Sequence, residues 1–532
     1  MFNVLNLKRS TKISLAAASA LLVIPLLTTS FTGTSNENPM VMAHAEELKY
    51  ASKDIALNPG SNESELRFTW YSSANPEKAI VQIAKKSDMT GNVFPVDKAK
   101  TFAGTASQAA TVGANVYYSN KVTVTDLEPS TQYVYRVGDG TNESWSSVYN
   151  YATQRSDQYS LMFVGDPQIG ASGSVSKDQA GWTNTLNKAV AKFPNFSYIM
   201  SAGDQVNTAT SEAEYDAFLS PDVLRSLPIA TVVGNHDTSV NYKYHFNQPN
   251  ESTKYGVTNA SGDYYYTYGE SLFMVLNTNN TDGASHVQFM KETAAKFPNA
   301  KWKFVTFHHD IYGAGPHSTE SLITNLRAAL FPTFDELNVD VIFMGHDHSY
   351  VRTYVMKGDI PQKNQLIDSK GRVVNPTGSM YITANSASGS KYYELMVTPE
   401  VYSEVRTQLK VPTFSTINVN PYSVSVDTYR TDTMERVDTW SMVKTSLPML
   451  QGLVEEYISK RDLKSGLSSQ LINSLKQAQH QFDKGSKTQA VKFVQDFLKH
   501  LNNEAMQKNV TQSAKDVLAD AAEELVLSLT AQ

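Results

Sequence analysis

Five short blocks hold the residues that could do chemistry together. Asp166 lies in Gly165-Asp166-Pro167-Gln168, and Asp204 follows Gly203. Asn235 sits in Gly234-Asn235-His236-Asp237, and His308 opens a His308-His309 pair. His346 and His348 flank an aspartate in Gly345-His346-Asp347-His348. Carboxylate, amide and imidazole groups suit manganese, iron or zinc, and one carboxylate can bridge two such ions. A glycine ahead of a ligand lets the backbone turn sharply and present the next side chain. A Gly-Asp pair alone recurs by chance in any long chain. Gly-His-Asp-His is more selective, because two histidines two apart on a loop have few structural uses. All five blocks in this order make the signal.

Each block begins where an apolar run ends. Runs at 160–164, 198–201, 230–233, 272–276, 303–307, 340–344 and 380–383 read as buried strands. Helical stretches at 182–192 and 285–296 lie between several of them, and residues 413–444 alternate as closing strands. Residues 157–446 therefore read as an α/β domain of layered sheets flanked by helices. Carboxyl ends of strands in such a sheet converge on one crevice, so residues far apart in sequence can meet there.

Two other textures flank this domain. Residues 46–156 read as an all-β sandwich: 66–71 alternates with period two, 116–124 does so more loosely, and 127–135 matches a tyrosine corner. Residues 447–532 repeat apolar positions at three and four, which predicts a small α-helical bundle. A chain of 532 residues is too long for one core, in keeping with this multidomain reading. The net charge of −6 without a long basic run leaves no evident nucleic-acid partner. With no cysteine, disulfides, thiolate metal sites and a cysteine nucleophile are excluded. Residues 1–45 read as a cleaved export signal: Lys8, Arg9 and Lys12 precede an apolar stretch at 13–28, and Ala43-His44-Ala45 offers a cleavage site. That stretch is short for a membrane span and Pro25 interrupts it. No membrane span is expected after cleavage. The expected location is extracellular, with cell-wall association open.

The order D…GD…GNH[DE]…H…GHxH resembles that of the calcineurin-like metallophosphoesterases. The preceding sandwich, similar to a fibronectin type III module, and Tyr350 and Arg352 in GHDHSYVR make the chain most similar to the purple acid phosphatase branch. This resemblance implies a first metal at Asp166, Asp204 and His348. It implies a second at Asp204, Asn235, His308 and His346, bridged by Asp204. It prefers His308 over His309 because the family's ligand is followed four residues later by an aromatic, here Tyr312. His309, Tyr312, Tyr350 and Arg352 then surround the ligands or touch substrate. Two positions depart from the family. Asn207 stands where purple members have a tyrosine, and Gln168, a candidate ligand of the first metal through its uncharged amide oxygen, stands where the wider superfamily has His or Asp. Both changes make the site less anionic, so two divalent ions (manganese, iron or zinc) are expected rather than Fe(III). Residues 450–526 are similar to the FIMAH-type modules of some secreted bacterial enzymes. They are read either as a plain spacer or as a module that binds a partner or the cell surface.

By this resemblance the chain hydrolyses small phosphate esters. A water held by two cations loses its proton near neutral pH and can attack phosphorus in line. His236 or His317 is expected to give the leaving group its proton. His236 has the alternative of orienting a ligand, and His317 that of a surface histidine. His245 and His286 lack a supporting motif and are expected to be structural. A phosphomonoesterase is the leading reading. A phosphodiesterase on the same core is the close alternative, and a metal-binding surface or adhesion protein without catalysis is the distant one.

Overall fold

Strand Leu66–Ser72 turns Leu66, Phe68 and Trp70 to one face, as its alternation requires. They pack with Val81, Val122 and Tyr135 in a single core. This computed structural model describes residues 50–531, so the expected export segment 1–45 lies outside the described residues. Seven antiparallel strands build the first domain. The 13-residue strand Lys100–Val112 pairs with Ala79–Lys85 through its first half and with Asn115–Val124 through its second. It thereby joins two ladders over one core, which makes the sandwich. Tyr133 forms the expected corner, its hydroxyl accepting the Glu128 N–H at 2.8 Å.

Two seven-stranded sheets follow. The first has Tyr159–Val164, Phe196–Ser201 and Ile229–Thr231 as parallel neighbours. In the second, Ser271–Val275, Trp302–Thr306, Val341–Met344 and Met380–Thr383 run parallel. Leu161 and Phe163 of the first sheet pack with Phe304 and Phe343 of the second in a shared core. Alternate residues of the same strands point outward. Met162 and Val164 meet Trp182, Leu186 and Ala189 of helix Val175–Lys192. Val305 and Ile342 meet Phe289 of helix Gly283–Lys296 and Leu326 and Leu330 of helix Ser321–Leu337. The order of layers is helix, sheet, sheet, helix. Strands covered on both faces must be apolar at every position, which explains the uninterrupted runs. Helix Val175–Lys192 starts at Ser174, whose side chain accepts the Lys177 N–H.

The last part is helical, with Leu447–Ser459, Ser465–Asp483, Lys487–Leu501 and Gln512–Ala531 around one apolar cluster. Among the described residues no helix is long and apolar enough to cross a membrane. The cluster also takes in Val374 and Val443 from the first sheet of the α/β part, with Tyr422 from a turn between two of its strands, so the helices dock on that sheet's edge. Arg372 anchors the junction, with Asp368 at 2.5 Å, Asp520 at 2.7 Å and Glu524 at 2.8 Å. Burial pushes the Glu524 carboxyl up to about 7, because Arg372 offsets only part of the lost hydration. Removing the guanidinium strands three carboxylates together. Arg372→Ala should therefore lower unfolding stability by about 2–3 kcal/mol, with partial recovery in Arg372→Lys, as read from urea denaturation.

Candidate metal centre

Each chemical block leaves the carboxyl end of a strand. Asp166 follows Tyr159–Val164, Asp204 follows Phe196–Ser201, and Asn235 follows Ile229–Thr231. From the second sheet, His308 follows Trp302–Thr306, and His346 and His348 follow Val341–Met344. The two sheet ends are joined by bonds between side chains of one and backbone groups of the other. His346 N–H donates to the Asp166 carboxylate at 3.0 and 3.1 Å, and His308 Nδ1 bonds the Ala202 carbonyl at 2.9 Å.

The donor atoms converge. Asp166, Asp204 and His308 offer ligand atoms that all lie within 4.8 Å of one another. His308 Nε2 is 3.4 Å from Asp204 Oδ2, 2.9 Å from Asn235 Oδ1 and 3.2 Å from His346 Nδ1. His348 Nε2 is 3.6 Å from Asp166 Oδ1. The far nitrogens of His308 and His348 bond the carbonyls of Ala202 and Lys391, which leaves each Nε2 free to ligate. Gln168 is tied to the Asp204 block, its backbone N–H donating to the Asp204 carbonyl at 2.7 Å. Its amide nitrogen donates to Asn207 Oδ1 at 3.4 Å, while its Oε1 is buried without a partner. Asn235 is exposed and His346 half-buried, whereas Asp166, Asp204, His308 and His348 are buried, so the cluster opens to solvent on the Asn235 side.

The electrostatics fit a cation. Burial pushes the Asp166 carboxyl well up, and Asp204 beside it pushes further; burial raises Asp204 too. Among the described residues these carboxylates pair with histidines, not with lysine or arginine. Burial holds His308 and His309 down at about 3 and His348 at about 4. Neutral imidazoles and uncompensated carboxylates are the forms that ligate metal.

The backbone is bent to achieve this. Asp166, Gln168, Asp204, His346 and His348 have φ of 42°, 35°, 50°, 76° and 44°. Such conformations are uncommon outside glycine and cost on the order of 1–3 kcal/mol each. Gly234 is equally constrained: a Cβ there would stand 2.0 Å from Asp204 Oδ1.

Other expected residues distribute around the cluster. His236 N–H donates to Asp204 Oδ1 at 2.9 Å, and its Nδ1 meets the Asn207 carbonyl at 2.7 Å. The His309 ring packs on those of His308 and His346, and its Nδ1 meets Thr278 Oγ1 at 2.8 Å. Half-buried His317 lies 4.6 Å from the His346 ring, with Nδ1 on Glu320 at 2.7 Å. Three of the expected residues bond away from the cluster. The Tyr312 hydroxyl donates to Asp359 at 2.6 Å, and its ring packs on Tyr381 and Tyr402. Tyr350 and Arg352 both bond Asp438, at 2.8 and 2.6 Å, and Arg352 also pairs with Glu404. Strand Tyr350–Thr353 is buried along its length, which commits these side chains to bracing the scaffold. His245 and His286 are structural, paired with Glu212 at 2.9 Å and Asp263 at 2.8 Å.

Sequence reasoning overlooked several supports. Asp237 accepts the Gly234 N–H, Glu214 accepts those of Asn207 and Thr208, and Asp347 accepts those of Gly315 and His317. Asp237 and Asp347 stood inside the motifs and were legible there. Nothing local marked Glu214, nor Lys391 and Tyr393 beside His348.

Two sheets with helices outside and this donor cluster at their carboxyl ends define a metallophosphoesterase fold. The comparisons agree. Residues 52–153 match the purple acid phosphatase N-terminal domain, 159–350 the calcineurin-like phosphoesterase, and 447–526 the FIMAH domain. Domain order and fold are those of purple acid phosphatase-like metallophosphoesterases, with a FIMAH domain appended. A probable inactive purple acid phosphatase of Arabidopsis thaliana is 22% identical over 64% of this chain, and the match spans 61% of that protein. Acid phosphatase type 7 of Mus musculus is 25% identical over 55% of this chain and 69% of its own length. A purple acid phosphatase from yellow lupin seeds superposes with a TM-score of 0.61 at 15% identity, covering 75% of this chain and 76% of the lupin chain.

Metal should stabilise the fold. In the metal-free chain the raised carboxyl pKa values mean that stability falls as pH rises through them. The lowered imidazoles act oppositely, losing stability as pH falls below their ordinary 6.5. Cations offset the carboxylate cost at neutral pH, and protons displace them in acid. Calorimetry should find the chelated protein melting at least about 5 °C below the manganese-loaded protein at neutral pH, with the gap narrowing in acid.

Proposed function

We propose that this chain is a dinuclear-metal phosphoesterase that hydrolyses small phosphate monoesters. One observation carries the reading: two buried carboxylates, an amide oxygen and three imidazole nitrogens converge on one point that opens to solvent. Asp166, Asp204 and His348 would hold one ion, with the unpartnered Gln168 Oε1 beside it. Asp204, Asn235, His308 and His346 would hold the other. Two bound divalent cations supply positive charge for the phosphoryl oxygens and lower the pKa of a water.

The chain's own residues do the rest. The carbonyls of Ala202 and Lys391 orient His308 and His348. Glu320 accepts from His317 Nδ1, which leaves Nε2 to give a proton to the departing alcohol. His236 is similarly held at Nδ1 by the Asn207 carbonyl and is the second candidate for that proton. Asn207 is a neutral amide bonded to Gln168, so this position offers no phenolate to bind and colour Fe(III). Manganese, divalent iron or zinc is the fitting occupant. The donor set is present in full, which supports catalysis over a purely adhesive role. Export is part of this proposal and rests on residues 1–45.

The protein should be colourless and most active at neutral to mildly alkaline pH. The test is hydrolysis of mono- and diesters after chelation and resupply of manganese, iron, zinc or magnesium singly. Asp204→Ala should lose both ions and more than about a hundredfold in turnover. Normal turnover with two ions retained in that variant would dismiss Asp204 as the bridge. A violet protein with bound Fe(III) and an acidic optimum would overturn the divalent assignment.

A further inference from the structure

Asn235 is the exposed member of the donor set. Its Oδ1 lies 2.9 Å from His308 Nε2 and 3.1 Å from His346 Nδ1. These are contacts between atoms that would ligate the same ion, so once an ion takes their lone pairs they cannot also brace the side chain. An exposed side chain is not aimed by packing either. Its direction is set by the backbone turn that carries it. Asp237 holds that turn from within, accepting the Gly234 N–H at 2.9 Å and donating its own N–H to the Gly234 carbonyl at 3.1 Å. Asp237 also accepts the Gln205 N–H at 3.1 Å. All of these bonds stay on the side of the first sheet.

Asn279 ties the turn to the second sheet. It follows strand Ser271–Val275, and its Nδ2 donates to the Val233 carbonyl at 2.9 Å and the Gly234 carbonyl at 3.1 Å. An amide nitrogen carries two protons, which serve the two consecutive carbonyls that lead into Asn235. The clamp is rooted in a buried polar network. Asn279 Nδ2 is 3.3 Å from Asn277 Oδ1, and buried Asn277 donates to the Gly256 and Ser261 carbonyls at 3.0 and 2.9 Å. The Asn277 N–H donates to Asp263 at 2.8 Å, and Asp263 pairs with His286. Asn279 thus holds the turn through its backbone and leaves the Asn235 amide oxygen free.

We propose that Asn279 is a positioning residue that aims the Asn235 amide oxygen at the second ion by clamping the Val233 and Gly234 carbonyls. This rests on the dinuclear reading and deepens it. Asp166, Asp204 and His348, the donors assigned to the first ion, receive no bond from Asn279. Loss of its amide should therefore weaken the hold on one ion and spare the other.

The test is calorimetric titration of the chelated full chain with Mn²⁺, for the parent, Asn279→Ala and Asn279→Leu. Leucine keeps the volume without the donors, so agreement of the two variants assigns the effect to the lost bonds rather than to a gap. One of the two binding steps should weaken about tenfold or more, while the other stays within about threefold. Excess Mn²⁺ should bring kcat back to within about threefold of the parent, with the half-activating concentration raised about tenfold. Chelated variants that melt lower while both binding steps stay unchanged would mark a merely structural role and overturn the proposal. Equal weakening of both steps, or turnover that excess Mn²⁺ does not restore, would overturn it too. A parent chain that takes up a single ion would refute the dinuclear reading and this inference together. A parent chain that takes up two ions but hydrolyses no phosphate compound would refute the phosphoesterase reading alone, and the titration would still decide the role of Asn279.

Discussion

Asp166 and Asp204 give up their hydration on folding and, among the described residues, receive no lysine or arginine in exchange. A buried unpaired carboxylate is costly, and two side by side are worse. Much of the local structure follows from that constraint. The backbone N–H groups of His346 and His236 turn toward the carboxylates and blunt their charge. Imidazoles that burial keeps neutral close the other sides. What remains is a concentrated negative charge with lone pairs aimed inward, for which a divalent cation is the natural counterpart.

The strain in the loops belongs to the same arrangement. Site residues in left-handed backbone persist only where surrounding structure over-determines them. The two sheets supply that over-determination through the tight core between them, where Phe163, Phe304 and Phe343 interlock. The sandwich domain adds a brace near the Asn235 loop. Asn58 donates to the Ile229 carbonyl at 2.7 Å, and Ser119 to the Tyr244 carbonyl at 2.6 Å. The His245 ring is stacked between Tyr71 of the sandwich and Tyr215, with Glu212 on its edge. The first domain thus buttresses the helices that follow the Asp204 and Asn235 blocks.

Two neutral amides give this centre its individual character. Gln168 and Asn207 bond to each other where charged or phenolic groups would have made the cluster more anionic. Fewer negative charges favour divalent over trivalent ions.

The local pattern of the chain determined the three-part architecture, the buried strands and the positions of the donor blocks. Glycine turns at strand ends, periodicity of two or 3.6 and uninterrupted apolar runs are all written within a few residues of where they act. Asp166, Asp204, Asn235, His308, His346 and His348 were legible for that reason. The partners of Tyr312, Tyr350 and Arg352 were not legible, because proximity in sequence to a ligand says nothing of where a side chain points once the chain around it is packed. Tertiary structure alone decided that Glu214 holds the Asn207 turn, that Arg372 anchors the helical domain and that Lys391 stands beside His348. Each of those contacts joins segments whose separation depends on how sheets and helices pack, and packing is a property of the whole chain that no short stretch encodes.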